Sequence, residues 1–313
     1  MKDIETSNLP SPSSFALAID FGGTKIAMAT ASGAGLRLGT REIPTLASEG
    51  AERVMQRTFA AARELVEATT AQTGQTLRAI AAVTPGIVEP DGIRLAPNNP
   101  GWERLALKDV LRDHFDVASV SVETDVKAAA LAEARDGALK GVDYGLYVNV
   151  GTGLAAAAVV GGRVLRGAHG AAGEIGYLLR GVPGERHFAD GAAPLEEHVS
   201  GAGISARASA LLGRAVSARE AFALAATQPD VAALIDDALD ALALHVANVA
   251  IMLDPARIAI GGGMARVPAV ATRIEALVRR ALPYPPEVCI AAFGHDAALQ
   301  GAIVAAADAL TSR

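Results

Sequence analysis

From Phe15 onward the chain alternates apolar runs with glycine-bearing turns. Phe15 to Ile19 is wholly apolar, the run closes on Asp20, a turn passes through Gly22, Gly23, Thr24 and Lys25, and Ile26 resumes the apolar pattern. Run, tight turn and run together predict two strands joined by a hairpin. Ser32 to Gly35 marks a second turn, and Leu36 to Ile43 a third strand. From about Ser48 to Thr73 the spacing becomes helical, with Val54, Ala61, Leu65 and Ala68 on one face. Leu77 to Val83 is a short apolar strand that stops at Thr84-Pro85-Gly86. The following stretch to Trp102, rich in Pro, Gly and Asn, reads as loops and short strands. A helix around Leu107 to Phe115, a strand over 117–123 and a helix opened by Asp125 complete this half.

The second half repeats the first. Tyr144 to Val150 is an apolar strand, Gly151-Thr152-Gly153 a turn, Leu154 to Val160 a strand, Gly161-Gly162 a turn, and Arg163 to Gly167 another strand. A helical region with breaks runs from Leu195 to Ala226, and a long helix from Val231 to Leu253 is stopped at Asp254-Pro255. Arg257 to Ile260 is a buried strand, and Gly261, Gly262 and Gly263 lead into a helix from about Val267 to Ala281. A strand over 287–293 and a helix from about Asp296 finish the chain. The internal echo implies two related α/β halves, each offering a glycine hairpin to a shared cleft. Residues 151–156 also match a dinucleotide-binding fingerprint, but that fingerprint requires a helix directly after the turn. Only seven apolar residues separate Gly153 from Gly161, which predicts a strand instead.

Composition narrows the classes. The 313 residues suffice for two domains, and 51% are hydrophobic, so sizeable cores can form. A formal net charge of −6 argues against a general binder of nucleic acid or other polyanions. The one cysteine, Cys289, excludes an intramolecular disulfide and reads as a buried strand thiol. No apolar run reaches the length of a membrane span, and residues 1–14 are polar without the apolar core of a secretory signal. They are expected to be a disordered lead-in to a cytoplasmic protein.

The first hairpin carries candidate chemistry. Adjacent Gly22 and Gly23 remove Cβ atoms, so backbone N–H groups can face an anion closely. Thr24 adds a hydroxyl, Lys25 a cation, and Asp20 stands where it can hold Mg²⁺ directly or through water. The stretch is either a cradle for a nucleotide polyphosphate or an ordinary hairpin with a Gly-Gly turn. Asp125, between a strand and a helix, is similarly open between a helix cap and a catalytic carboxylate.

Eight segments in order give the chain a family resemblance. They are DFGGTK at 20–25, TPGIV at 84–88, APNNPGW at 96–102, ETD at 123–125, GTG at 151–153, GAHGAAGEIG at 167–176, LE..VSG at 195–201 and IAIGGG at 258–263. Together they resemble the ROK family of sugar kinases and repressors, within the actin and hexokinase superfamily of ATPases. The resemblance implies a duplicated actin-like, ribonuclease H-like α/β fold with two lobes around a cleft. It places residues 15–122 with 297–313 in a small lobe and 123–296 in a large one. It implies phosphorylation of a hexose, glucose first, with ATP and Mg²⁺ as cofactors and a homodimer as the assembly. Asp125 is then the catalytic carboxylate, and Asn98, Thr124, Glu174, Tyr177 and Glu196 line the sugar. Gly22, Gly23, Thr24, Lys25, Gly151, Thr152, Gly153 and Gly261 to Gly263 face the nucleotide, with Asp20 near its metal ion.

Three departures qualify that pattern. Thr124 stands where glucose-type members have Asn, and Tyr177 where many have a zinc-binding His. The slots for three zinc-binding cysteines fall near His187, Ala189 and Pro194, so the family's zinc site is not expected; His187, His198 and Tyr177 are a poor substitute set. Ala155 and Ala156 follow Gly153 where glycine is common, and Asn99 takes a usually apolar position. Alternatives are a kinase diverged towards mannose, fructose or N-acetylmannosamine, and a sugar-binding regulator without catalysis. The fourteen residues ahead of the first strand are too few for the repressors' DNA-binding module.

Overall fold

The computed structural model describes residues 14–96 and 99–311. Asn98 and the N-terminal lead-in, apart from Ser14, lie outside the described residues. The chain divides into two compact units, one of residues up to Asp125 with the segment from Ala302, the other from Val126 to Gly301.

The first unit is built on the sheet β3-β2-β1-β4-β7. β1 (Ser14–Phe21), β2 (Lys25–Ser32) and β3 (Arg37–Pro44) form an antiparallel meander. β4 (Thr76–Thr84) and β7 (Ser119–Thr124) add in parallel on the other side of β1. Parallel neighbours require crossovers, which α1 (Ala51–Thr73) and α2 (Leu107–Phe115) provide. Between β4 and α2 lies the small hairpin β5 (Ile87–Glu89) and β6 (Gly92–Arg94). Phe15 to Ile19 are buried without interruption, as expected of a central strand covered on both faces. Trp102 anchors the hairpin end of this core. Its indole N–H donates to Thr84 Oγ1 at 2.8 Å, and its ring meets Phe21 edge-on at 5.7 Å.

The second unit repeats this plan with the order β10-β9-β8-β11-β12. β8 (Tyr144–Val150), β9 (Leu154–Val160) and β10 (Arg163–Val164) are the meander, entered from α3 (Asp125–Asp136). Four helices follow: α4 (Glu196–Val199), α5 (Gly201–Leu212), α6 (Ala218–Leu224) and α7 (Pro229–Leu253). β11 (Arg257–Gly261), α8 (Pro268–Ala281), β12 (Glu287–Ile290) and α9 (Ala297–Thr311) close the chain. Val270, Ile274 and Val278 of α8 recur every fourth residue and are fully buried. Each such side chain contributes about 1.5–3 kcal/mol on burial.

Several expected details differ. On α1 the buried face carries Thr58 and Thr69 while Ala68 is exposed. Thr69 is buried because its hydroxyl reaches Leu65 O at 2.9 Å and the Thr30 hydroxyl at 2.8 Å, so its polar atom is satisfied. β10 ends at Val164, since Arg166 O accepts from Ala172 N at 3.1 Å and closes a loop instead of extending the ladder. Cys289 is half-buried, because β12 is an edge strand with β11 as its neighbour in the sheet. Its Sγ donates to Ile258 O at 3.6 Å, and burial pushes the thiol up.

Glu133 on α3 is a wholly buried carboxylate that ties two loops. Its oxygens accept from Ala138 N at 2.7 Å and Phe293 N at 3.0 Å. Glu133→Ala leaves two interior N–H groups without this acceptor, a loss of about 2–4 kcal/mol. We expect a fall of several degrees in the thermal midpoint; an unchanged midpoint means that water replaces the carboxylate.

Candidate active site

In the first unit the candidate residues gather at the C-terminal ends of β1, β4 and β7. Asp20 pairs in register with Val83, Val83 with Glu123, and Thr84 with Thr124. That end of a parallel sheet is where ligands bind in open α/β folds. The turn after Asp20 exposes Gly23, Thr24 and Lys25. Its carbonyls are drawn back by Thr45, whose hydroxyl donates to Gly22 O at 2.6 Å and whose N–H donates to Thr24 O at 3.0 Å. A Cβ on Gly22 would lie 2.8 Å from Lys25 O, whereas Gly23 has open space around it. Glycine is therefore required at the first position by the tight turn, and at the second the missing Cβ leaves the backbone open to approach. Lys25 pairs with Glu42 at 2.6 Å on the surface.

Asp125 follows Thr124 without a loop and is the first residue of α3. Thr124 is buried, and its N–H donates to Glu123 Oε1 at 2.9 Å. Asn99 is 4% exposed, and the described residues give its Oδ1 no partner.

The second unit places its glycine turn in the equivalent position. β8 and β9 are antiparallel neighbours joined through Gly151–Gly153, so no helix follows the turn and the dinucleotide reading fails. Here too the carbonyls are occupied. Gly151 O accepts from Gly201 N at 2.8 Å, Thr152 O from Ala202 N at 3.1 Å, and Gly153 O from Gly151 N at 3.0 Å. Gly201 and Ala202 open α5, whose N-cap Ser200 accepts from Gly203 N at 3.1 Å. The helix start is thus satisfied partly by its own cap and partly by the turn. Gly261 at the end of β11 pairs in register with Asn149, which brings Gly262 and Gly263 alongside Gly151.

Glu196 is fixed to the same turn, its Oε2 accepting from Leu154 N at 2.7 Å. Burial pushes its carboxyl up, with the Leu154 N–H opposing and the Glu197 charge adding to the rise. Glu174 immediately precedes the single-turn helix Ile175–Tyr177, without a capping bond from its side chain. The preceding Gly173 has φ +88°, and a Cβ there would overlap the Ala156 carbonyl. Only glycine lets the segment lie against β9, where Ala156 N donates to Gly173 O at 2.7 Å. Glu174 Oε1 lies 3.6 Å from the ammonium of Lys127, which is buried on the first turn of α3. The phenol of Tyr177 is pushed up to about 12 by burial first, then by the charges of Glu196 and Glu174, so it stays a hydrogen-bond donor. Its ring stacks on Phe188 at 3.9 Å.

The side chains near the family's zinc slots are engaged elsewhere. His187 lies 3.3 Å from Asp190, whose carboxylate it meets at the start of a short turn, and His198 lies 3.0 Å from Asp237. Arg180 clasps Glu185 through its N–H at 2.8 Å and its guanidinium at 3.1 Å. Thr45 and Lys127 lie outside every segment that carries the resemblance, while Ser200 and Gly201 lie within 195–201 without an assigned role. Ser-Gly at a helix start is a legible cap signal, whereas the other two act through residues distant in sequence.

Two α/β units of one strand order, each with a glycine turn at the same sheet end, define the actin-like ATPase fold. The chain belongs to the ROK family, whose model matches residues 16–309. It is 33% identical over 298 residues to the kanosamine kinase of Amycolatopsis mediterranei, covering 93% of this chain and 95% of that protein. The structure of a ROK hexokinase from Thermus thermophilus superposes with a TM-score of 0.79 at 31% identity, covering 93% of this chain and 97% of that one. A ROK glucokinase from Streptomyces griseus, in complex with glucose and AMPPNP, gives a TM-score of 0.72 at 26% identity and covers 94% and 99%. Among the described residues no helix is long and apolar enough to cross a membrane.

His198 provides a pH test of this region. Burial, followed by the charges of Arg207 and Arg180, lowers its pKa to about 4 against the pull of Asp237. The unfolded chain takes up the proton near pH 6.5, so between there and pH 4 the unfolded state binds more protons and stability falls as pH falls. Denaturant unfolding from pH 7 to 4 should show a shallower decline in His198→Gln than in the wild type. Equal slopes would assign the decline to other groups.

Proposed function

We propose that this protein is an ATP- and Mg²⁺-dependent hexose kinase, with glucose the first substrate to test. The observation that carries the reading is the paired glycine turns. In both units two turn carbonyls are tied back by donors from outside the turn, Thr45 in the first and Gly201 with Ala202 in the second, a geometry that suits remaining N–H groups turned to phosphate oxygens. Asp125 at the β7–α3 junction takes the catalytic role. The sugar hydroxyl oxygen attacks the γ-phosphorus as the bond from that phosphorus to the β–γ bridging oxygen breaks. The hydroxyl proton passes to Asp125, and ADP leaves. Asp20 is an oxygen donor of the kind that would hold Mg²⁺ alongside nucleotide oxygens, and the ion would there supply neutralisation of phosphate charge.

Asn98, Glu174 and Glu196 are proposed as acceptors for the sugar's hydroxyl groups, and a pyranose offers many such donors. Glu196 keeps one oxygen on the Leu154 N–H and has the other for substrate. Thr124 is shorter than Asn and lacks the separate donor and acceptor atoms of an amide, and Tyr177 adds a phenol donor beside the two glutamates. Both changes favour weak glucose binding or another hexose. The kanosamine kinase relative makes an amino sugar a natural second candidate, with mannose, fructose and N-acetylmannosamine beside it. The two lobes, the cytoplasmic location and the homodimer belong to the same reading. Exposed Leu244, Ile251 and Met252 on α7 support the dimer by offering an apolar face.

An ATP-coupled assay across these sugars tests the proposal. Asp125→Asn should lower turnover on the best sugar about a hundredfold or more while sugar binding persists. Turnover within a few-fold of wild type would leave Asp125 a helix cap. Ligand-induced stabilisation without turnover on any sugar would favour a sugar-binding regulator.

A further inference from the structure

Lys127 is among the largest fully buried side chains of the chain, and its burial needs an explanation. It sits on the first turn of α3, two residues after Asp125, with its side chain 1% exposed. An ammonium is seldom buried to this degree unless a charge or metal accompanies it. One partner is Glu174, 3.6 Å away and 19% exposed. The pair is therefore asymmetric. The cation is sealed in the interior, and the carboxylate is partly exposed near the Tyr177 phenol, which also feels the charge of Glu196. An ionised carboxylate offers about four acceptor positions, so Glu174 can face Lys127 and still accept from hydroxyl groups on its exposed side.

The surroundings of Glu174 make such an anchor useful. Its own segment is a glycine-rich loop, with Gly167, Gly170 and Gly173 all at positive φ. A loop of that composition does not fix a side chain by its own stiffness. Two neighbours, Glu196 and the Tyr177 phenol, add negative charge or a bulky ring, and neither supplies a cation. Lys127 projects from a regular helix, so it couples the loop carboxylate to a rigid element.

We propose that Lys127 is a positioning residue for sugar recognition, holding the Glu174 carboxylate from inside so that its outer face receives substrate hydroxyls. This rests on the hexose-kinase reading. It also makes the site a recogniser of neutral hydroxyl groups at Glu174, because the carboxylate's charge is already met from within. A protonated amine on the substrate gains less there than at an unpaired acid.

A double-mutant cycle tests it, with D-glucose and the best sugar of the panel as probes. Lys127→Met should raise the sugar KM at least about tenfold, the scale of a lost hydrogen bond to a charged group. The ATP KM should stay within about threefold, and kcat should fall less than the sugar KM rises. In a Glu174→Gln background the same Lys127→Met change should add less than about twofold. Should Lys127→Met yield no folded protein, Lys127→Gln carries the same cycle. An unchanged sugar KM, or an equal effect with and without Glu174, overturns the proposal while leaving the kinase reading standing. Direct calorimetric titration of sugar separates the two: sugar affinity lost in the Lys127 variant, in a wild type that releases no ADP, supports the positioning role and overturns the kinase.

Discussion

The structure depends on what becomes of the carbonyl groups in its glycine turns. A tight turn exposes donors and acceptors together, and an anion is repelled by the acceptors. In each unit two of the acceptors are engaged from outside the turn. Thr45 takes the carbonyls of Gly22 and Thr24, and the start of α5 takes those of Gly151 and Thr152. The second device also solves the problem of a helix start, where N–H groups lack internal partners. One set of hydrogen bonds therefore stabilises a helix and sets the polarity of a loop. Glu196 joins the arrangement through Leu154 N, so the candidate sugar carboxylate and the candidate phosphate turn are parts of one bonded cluster.

Much of this plan was legible in the sequence because it is written in punctuation. Glycine pairs and apolar runs recur in two halves, and the two sheets have the same strand order. Helix and strand types were clear where runs were long, as in β1 and α7. Boundaries failed where long-range bonds decide them: β10 stops because Ala172 captures Arg166 O, and Thr69 is buried because Thr30 meets its hydroxyl. The candidate site was read mainly through resemblance, since Asp125 alone reads first as a helix cap. Thr45 and Lys127 escaped because their partners are 23 and 47 residues away in sequence, as the pairs Gly22–Thr45 and Lys127–Glu174 show. No local pattern encodes such a pairing.

The segment from Tyr177 to Pro194 shows how a loop can be held by ordinary side chains. Tyr177 stacks on Phe188, Arg180 clasps Glu185, and His187 with Asp190 closes the turn. Aromatic pairs of this kind contribute about 0.5–1.5 kcal/mol beyond their area, and the exposed His187–Asp190 pair less. Several modest contacts distributed along the loop do the work of a single strong crosslink. The first of them, at Tyr177, lies within the reach of the Glu196 and Glu174 charges.

The chain has a single tryptophan, and it lies in the first unit. Trp102 is 2% exposed, bonded to Thr84 and set against Phe21. Its emission is therefore a private signal of one half of the molecule. Helices lie in both units, α1 and α2 in the first and α4 to α8 in the second, so the far-ultraviolet dichroism sums over the whole molecule. The protein thus carries, without any label, one optical reporter for a single copy of the repeated fold and one for both together. Coincident curves from the two would mean that the duplicated halves melt as one cooperative body; separated curves would show the first copy melting apart from the rest.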